Sequence, residues 1–300
     1  MPVSAPAISV VVATIEPWPV VRPCLDRLLP QIARVGGELL VADGTPDGSG
    51  LPRGDDGPCA AVTAIRCPGA SVMTLRARGA EGASAPIVAF TEDHCVVGER
   101  WVEQLVAAHA AHPETDMVAG PVVNGSSEGL IDWANFLMTF ADFLPSAVER
   151  PIYRTPPMSN ASFKRRALMA GPLPEGWLEL VMAPTVFHEG RTHYAADVIV
   201  SHVQPRRLLQ ALVIHFHNGR ACAGLALPHL ARRDWRARLR RAPVLPWHLW
   251  RSVRRSLRGR SIPTRARLSL PAVFALGTAH AAGELVGLLR GEGQSAVKLN

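Results

Sequence analysis

The first two hundred residues alternate strand-sized β-branched runs with longer stretches of helical spacing, and nothing else in the chain narrows its fold as much. Ile8 to Ala13 (ISVVVA), Glu38 to Ala42 (ELLVA), Val62 to Arg66, Ile87 to Phe90, Met117 to Val123 and Ala196 to His202 (ADVIVSH) have the length and composition of strands. Between them, Val20 to Arg34, Val72 to Ala83 and Glu99 to Ala111 carry apolar residues at helical spacing. A strand that hands over to a helix must cross before it pairs again. This order therefore predicts an α/β fold, a mainly parallel sheet with helices on both faces.

The pattern changes near Pro205. Acidic residues and Ser/Thr thin out, and Arg-rich helical segments follow, broken by Pro228, Pro243, Pro246, Pro263 and Pro271. Sixteen of the 32 Lys and Arg residues lie between Arg206 and Arg267, where Asp234 is the one acid. The sequence thus predicts an α/β domain over 1–204 and a helical, basic region over 205–300. With 48% apolar residues, the 300-residue chain can bury a sizeable core and is not of disordered composition. The N-terminal apolar run has no positive charge before it and ends in Glu16-Pro17, unlike a signal peptide. Five scattered cysteines without a C-x-x-C pair argue against a disulfide framework or a structural zinc motif, so the expected compartment is a reducing cytoplasm.

In parallel sheets the ligand site lies where loops leave the carboxyl ends of the strands. Here those loops are Thr14-Ile15-Glu16, Asp43-Gly44-Thr45-Pro46-Asp47-Gly48 and Thr91-Glu92-Asp93-His94. Carboxylates gathered at that edge would repel a phosphate-bearing ligand unless a divalent cation lay between them. Mg2+ or Mn2+ is held by such groups, and an added imidazole leans toward Mn2+. The alternative for Glu92 is a helix cap or an ion pair with an arginine. Asp43 is placed to accept hydrogen bonds from a nucleobase or ribose, or else to cap its own turn. The chain has no G-x-G-x-x-G after the first strand and no G-x-x-x-x-G-K-[ST], which disfavours dinucleotide-dependent dehydrogenases and P-loop enzymes.

Taken in order, these segments resemble a family-2 glycosyltransferase of the GT-A fold. Val10-Val11-Val12-Ala13-Thr14 is similar to the family's VVVPT strand, and Val41-Ala42-Asp43-Gly44-Thr45 to its V-x-D-x-S. Arg76 to Gly79 fits R-x-x-G, and Glu92-Asp93-His94 falls on the D-x-D metal motif, with Trp101 where a Trp usually follows. Ser159 to Arg166 (SNASFKRR) resembles G-x-N-x-x-x-R-R, Glu179 stands at the Asp of the E-D motif, and His202 closes a V-x-H. The resemblance spans residues 7 to 204. It departs in Glu for Asp at Glu92 and Glu179, in His94 for the second metal-motif Asp, and in Leu178 before the base.

The resemblance implies transfer of a sugar from a nucleotide diphosphate donor, of UDP or GDP type, to an acceptor hydroxyl with inversion. Thr14, Glu16, Asp43, Arg76 and Asp93 would bind the donor. Glu92, His94 and His202 would hold Mn2+ or Mg2+, Asn160 and Arg165 would contact the acceptor, and Glu179 would be the catalytic base. Two competitors use the same layout: a degenerate fold kept for membrane or partner binding, and a nucleotidyltransferase. The latter normally has a Gly-rich, Lys-containing loop where this chain has TIEPWP.

The basic region places Trp250, Val253 and Leu257 on one helical face and Arg251, Arg254, Arg255 and Arg258 largely on another. That pattern suits an interfacial helix on anionic lipid, or else a helix packed on protein. Leu268 to Leu289 is long enough to span a bilayer, but His280 and Glu284 interrupt it, which fits a packed or interfacial helix. No nucleic-acid reading motif accompanies the arginines. The expectation is peripheral contact with the inner face of the membrane, with a lipid-linked or surface glycan as acceptor.

Overall fold

A computed structural model describes residues 5–51, 62–145, 157–170, 191–229 and 231–299. The chain forms two compact units, one of residues 1–125 and 143–203, the other of 126–142 and 204–300. The division after residue 203 lies beside the expected one. The helix Leu130–Phe140 (α4), by contrast, groups with the helical unit although it sits within the α/β part of the sequence.

In the first unit, β1 (Ser9–Thr14), β2 (Glu38–Asp43), β3 (Val62–Arg66), β4 (Ile87–Glu92), β8 (Ala161–Lys164), β6 (Met117–Ala119) and β9 (Thr192–Tyr194) make a seven-stranded sheet in the order β3-β2-β1-β4-β8-β6-β9. All neighbours pair parallel except β8, which runs antiparallel to both β4 and β6. A second sheet has the order β5-β10-β7, from Cys95–Val97, Val200–His202 and Val122–Asn124. The expected strand over Met117 to Val123 is therefore two strands in two sheets, parted at Gly120-Pro121. A Cβ on Gly120 would come within 1.9 Å of the Val198 carbonyl, so the backbones meet there as only glycine permits. Of the run from Ala196, only Val200–His202 pairs as strand.

Every residue of β1 is buried, as expected of a strand covered on both faces. On one side lies α1 (Trp18–Val35), whose Val21, Cys24, Leu25, Leu28 and Ile32 form the apolar stripe. It stops at Gly36, whose φ of 63° satisfies the left-handed cap. The other side is covered by α2 (Val72–Gly82), capped by Ser71 Oγ accepting from the Thr74 amide at 3.3 Å. A Cβ on Gly79 of α2 would come within 2.2 Å of Val11 Cγ1, so the helix lies almost directly on β1. α3 (Trp101–Ala111) joins the α1 side through fully buried Trp101, Val102 and Leu105.

The second unit is helical: α4, then α6 (Leu208–Ala226), α7 (Arg232–Arg241), α8 (Leu245–Ser256), the short α9 (Thr264–Leu268) and α10 (Leu270–Arg290). α5 is a single turn, Arg165–Leu168, in the first unit. α6 and α10 pack through small residues. A Cβ on Gly219 would meet the His280 carbonyl at 2.0 Å, and one on Gly283 the Phe216 carbonyl at 1.9 Å. Among the described residues α10 is the one helix long and apolar enough to cross a membrane. α8 turns Val253 inward, with Leu257 just past its end also buried, and leaves Arg251, Arg254 and Arg255 exposed. The apolar stripe thus packs within the helical unit, and the arginines face out.

Candidate active site

The chain leaves β1 toward β2 and β3 on one side and returns to β4 on the other, so the strand order reverses between β1 and β4. In parallel sheets a crevice opens at such a point, outside the carboxyl ends of the strands. Thr14 ends β1 and Glu92 ends β4, with Asp93 directly after it. Thr14 Oγ1 donates to Asp93 Oδ2 at 2.7 Å, closing the crevice floor between the two strands. Thr14 Oγ1 also accepts from the Glu16 amide at 3.1 Å, which folds the first loop back over the strand end.

Glu92 shares the sheet face of Phe90, two residues earlier, and that face meets α2. Arg76 of α2 is buried there and donates to Glu92 Oε1 through Nη2. The ion-pair alternative raised for Glu92 is therefore realised, and it uses one carboxylate oxygen. The second oxygen, Oε2, lies 3.4 Å from His94 Nε2 and 3.3 Å from His202 Nε2. The two imidazole nitrogens are 2.8 Å apart, with the rings edge to face. Pairing of β5 with β10 makes this possible, because it sets Cys95 opposite His202 and ties the His94 carbonyl to the Val203 amide at 3.0 Å.

His94 Nδ1 lies 2.6 Å from Asp93 Oδ1. That contact fixes the ring and presents Nε2 to Glu92 and His202. Asp93 therefore positions His94 while Thr14 positions Asp93. Burial disfavours a charged His94, but hydrogen bonds to Asp93 and Glu92 overcome it and lift the imidazole to about 10. For His202 burial prevails over the Glu92 hydrogen bond and pushes the ring below its ordinary value. Burial also works against the Glu92 charge, yet hydrogen bonds from His202 and His94 and the Arg76 guanidinium hold the carboxyl well below the usual range. The Cys95 thiol is pushed well up by burial and by the Glu92 charge.

Glu92, His94, Cys95 and His202 each offer a ligand atom, and these four atoms lie within 4.8 Å of one another. Cys95, the residue after His94, is given no role by the sequence. Its signal is the long-range pairing of β5 with β10, which periodicity does not disclose.

The other expected residues are dispersed. Asp43 ends β2, two strands from Glu92, and its carboxylate is enclosed: Oδ1 accepts from the Thr45 amide at 2.7 Å and the Thr45 hydroxyl at 2.6 Å, and Oδ2 from Arg66 Nη1. Both the turn cap and an unforeseen cross-strand ion pair are present, since β2–β3 pairing sets Asp43 beside Arg66. Asn160 is fully buried just before β8. Its Oδ1 accepts from Trp101 Nε1 at 2.8 Å, and its Nδ2 donates to the Pro121 and Val198 carbonyls at 2.8 and 2.7 Å. Arg165 lies at the far end of β8, its Nε donating to the Ala83 carbonyl at 2.7 Å and its amide to the Pro86 carbonyl at 2.8 Å. Those partners precede β4, at the edge of the sheet opposite Glu92. Glu179 lies outside the described residues.

No family model matches the chain, and no curated protein matches it. Among solved structures it is similar to the mannosyltransferase PcManGT from Pyrobaculum calidifontis, determined in complex with GDP-Man and Mn2+. The identity is 20%, covering 98% of this chain and 79% of that one, with a TM-score of 0.45. It is also similar to glucosyl-3-phosphoglycerate synthase from Mycobacterium tuberculosis, in complex with Mn2+, UDP and glucosyl-3-phosphoglycerate. There the identity is 16% over 68% of this chain and 74% of that one, with a TM-score of 0.46. A mycobacterial protein of solved structure is 15% identical over 68% of this chain and 70% of its own, with a TM-score of 0.48.

Proposed function

We propose that the chain is a metal-dependent glycosyltransferase of GT-A type that moves a sugar from a nucleotide diphosphate donor to an acceptor hydroxyl with inversion. One observation carries this reading. Glu92 and His94, at the end of β4, and His202, 108 residues after His94, bring their ligand atoms together at the β1/β4 crevice. The sequence resemblance names the same residues from two separate motifs.

The carboxylate and two imidazoles fit Mn2+, which accepts mixed oxygen and nitrogen ligands, better than Mg2+, which prefers an all-oxygen shell. Glu92, His94 and His202 would hold the ion. Bound there, it would neutralise the negative charge that develops on a diphosphate leaving group. Asp93 and Thr14 keep His94 oriented, and Arg76 offsets the Glu92 charge. Glu16 and the enclosed Asp43 turn line the strand edge where the nucleoside would lie. In this proposal Glu179 takes the proton from the acceptor hydroxyl.

Calorimetric titration with UDP and with GDP, in the presence and absence of Mn2+, tests the reading. Binding of one nucleotide is expected only with the metal, and is expected to vanish in the Glu92→Ala/His94→Ala double variant. If neither nucleotide binds under any metal condition, the transferase reading is wrong.

The proposal extends to location: the protein works at the inner face of a membrane on a lipid-linked or surface glycan. Its support is α7, which buries none of its residues and carries six arginines, beside the exposed Arg251, Arg254, Arg255 and Trp247 of α8. Each such cation near an anionic surface is worth about 1 kcal/mol. The chain should sediment with phosphatidylglycerol vesicles at low salt and release from them at high salt. Equal behaviour with pure phosphatidylcholine vesicles would refute this extension.

A further inference from the structure

The site holds one donor more than the transferase chemistry uses. Cys95 is fully buried and directly follows His94, and its sulfur lies 4.0 Å from Glu92 Oε2. It is also the ladder partner of His202 across β5 and β10. Residues directly opposite one another in a ladder share a face. The thiol is therefore held on the same side as the His202 ring by backbone pairing.

We infer that Glu92, His94, Cys95 and His202 form a four-coordinate site for a zinc-class ion, with the Cys95 sulfur as fourth ligand, and that this set prefers Zn2+ to Mn2+ and Mg2+. The inference concerns the cluster already described, but it rests on these side chains alone and not on the transferase reading.

The distances support it. Zinc binds nitrogen and oxygen at about 2.0–2.2 Å and sulfur at about 2.3 Å, so tetrahedral edges run about 3.3 Å between N or O ligands and about 3.5 Å to sulfur. Glu92 Oε2 stands 3.3 Å from His202 Nε2, 3.4 Å from His94 Nε2 and 4.0 Å from Cys95 Sγ. The two Nε2 atoms, 2.8 Å apart, need to separate by about half an ångström.

The surroundings are those of a ligand set. His94 has its other nitrogen fixed by Asp93 at 2.6 Å, and Asp93 is fixed in turn by Thr14 at 2.7 Å. A carboxyl group behind a ligating imidazole sets the tautomer and aim of the ring. Donor chemistry then decides between metals. Mg2+ seeks an octahedral oxygen shell, Mn2+ tolerates imidazole, and a sulfur donor shifts selection to zinc.

Cobalt(II) serves as the probe, titrated into the full-length, metal-free protein. The expected spectrum has a sulfur-to-cobalt charge-transfer band in the near ultraviolet and the strong visible absorption of four-coordinate cobalt. Zn2+ should erase both at stoichiometric concentration, while about a hundredfold excess of Mn2+ or Mg2+ should not. Cys95→Ser should remove the charge-transfer band and weaken Zn2+ binding by more than the roughly 10–100-fold that loss of an outer-shell partner costs. If the variant does not fold, the wild-type spectrum decides by itself.

Weak six-coordinate absorption without the sulfur band, or no cobalt binding, overturns the inference. Metal-dependent UDP or GDP binding alongside such a spectrum would refute the zinc site and spare the transferase. The sulfur band without nucleotide binding under any metal would do the reverse.

Discussion

Replacing Asn160 with alanine separates two accounts of one residue. If Asn160 serves an acceptor, its loss weakens acceptor binding and leaves the fold intact. The geometry requires the opposite. Its side-chain amide makes three hydrogen bonds, accepting one from Trp101 Nε1 and donating to the carbonyls of Pro121 and Val198, and Asn160 and all three partner residues are buried. These partners join α3, the β6–β7 connection and the approach to β10. Each buried group stripped of its partner costs about 1–3 kcal/mol. With some recovery by entering water, Asn160→Ala should cost about 3–6 kcal/mol, against a total stability of about 5–15 kcal/mol for a typical domain. Urea unfolding of the full chain, followed by tryptophan fluorescence and circular dichroism, measures it. Asn160→Asp should be no milder, because it turns a carboxylate oxygen toward two carbonyl oxygens. A loss below about 1 kcal/mol in Asn160→Ala, with the urea slope unchanged, would refute the structural account.

Acid should destabilise both units through buried neutral histidines. Burial, reinforced by nearby cations, lowers His109 to about 4 and His215 to about 3, while the unfolded groups titrate near 6.5. Below pH 6.5 the unfolded chain therefore binds more protons, and stability falls as pH drops, by about 1.4 kcal/mol per pH unit per group, until the folded values are reached. Each histidine should cost about 2 kcal/mol at pH 5, and urea midpoints that are equal at pH 7 and pH 5 would contradict this. Gly79→Ala drives a methyl group into Val11, 2.2 Å from its Cγ1, and should cost about 1–3 kcal/mol. Because the same helix carries Arg76 to Glu92, metal binding should weaken too, and a variant with wild-type stability and cobalt affinity would show that α2 can shift freely.

How much of the fold was legible depends on which force shaped each element. β1 is buried on both faces, so its β-branched run reads as a strand without any partner being known. α1 carries its stripe and its terminating Gly36 in adjacent sequence. β5, β6, β7, β9 and β10 are three residues each and owe their existence to pairing with distant segments, which local periodicity does not encode. The helical unit shows the same limit. The stripe of α8 was legible, but whether it meets lipid or protein depends on partners that arrive from elsewhere in the chain.

The site divides along the same line. Residue type and strand endings pointed to Glu92, Asp93 and His94 because charge at the carboxyl end of a buried strand is a local signal. Their separate tasks were not local: Asp93 turns to Thr14 and His94, Glu92 turns to Arg76, and each contact depends on which face of β4 a residue occupies. Motif spacing misleads most where a motif runs along a strand. Asn160 and Arg165 are five positions apart, and at about 3.4 Å per residue that is about 17 Å of extended chain. Since β8 runs antiparallel to β4, one is carried to the Glu92 end of the sheet and the other to the opposite edge. Two residues of a single motif can share a site only if the chain turns between them. Here the chain remains a strand from Ala161 to Lys164, so Arg165 is carried to the loop before β4, at the sheet edge opposite Glu92.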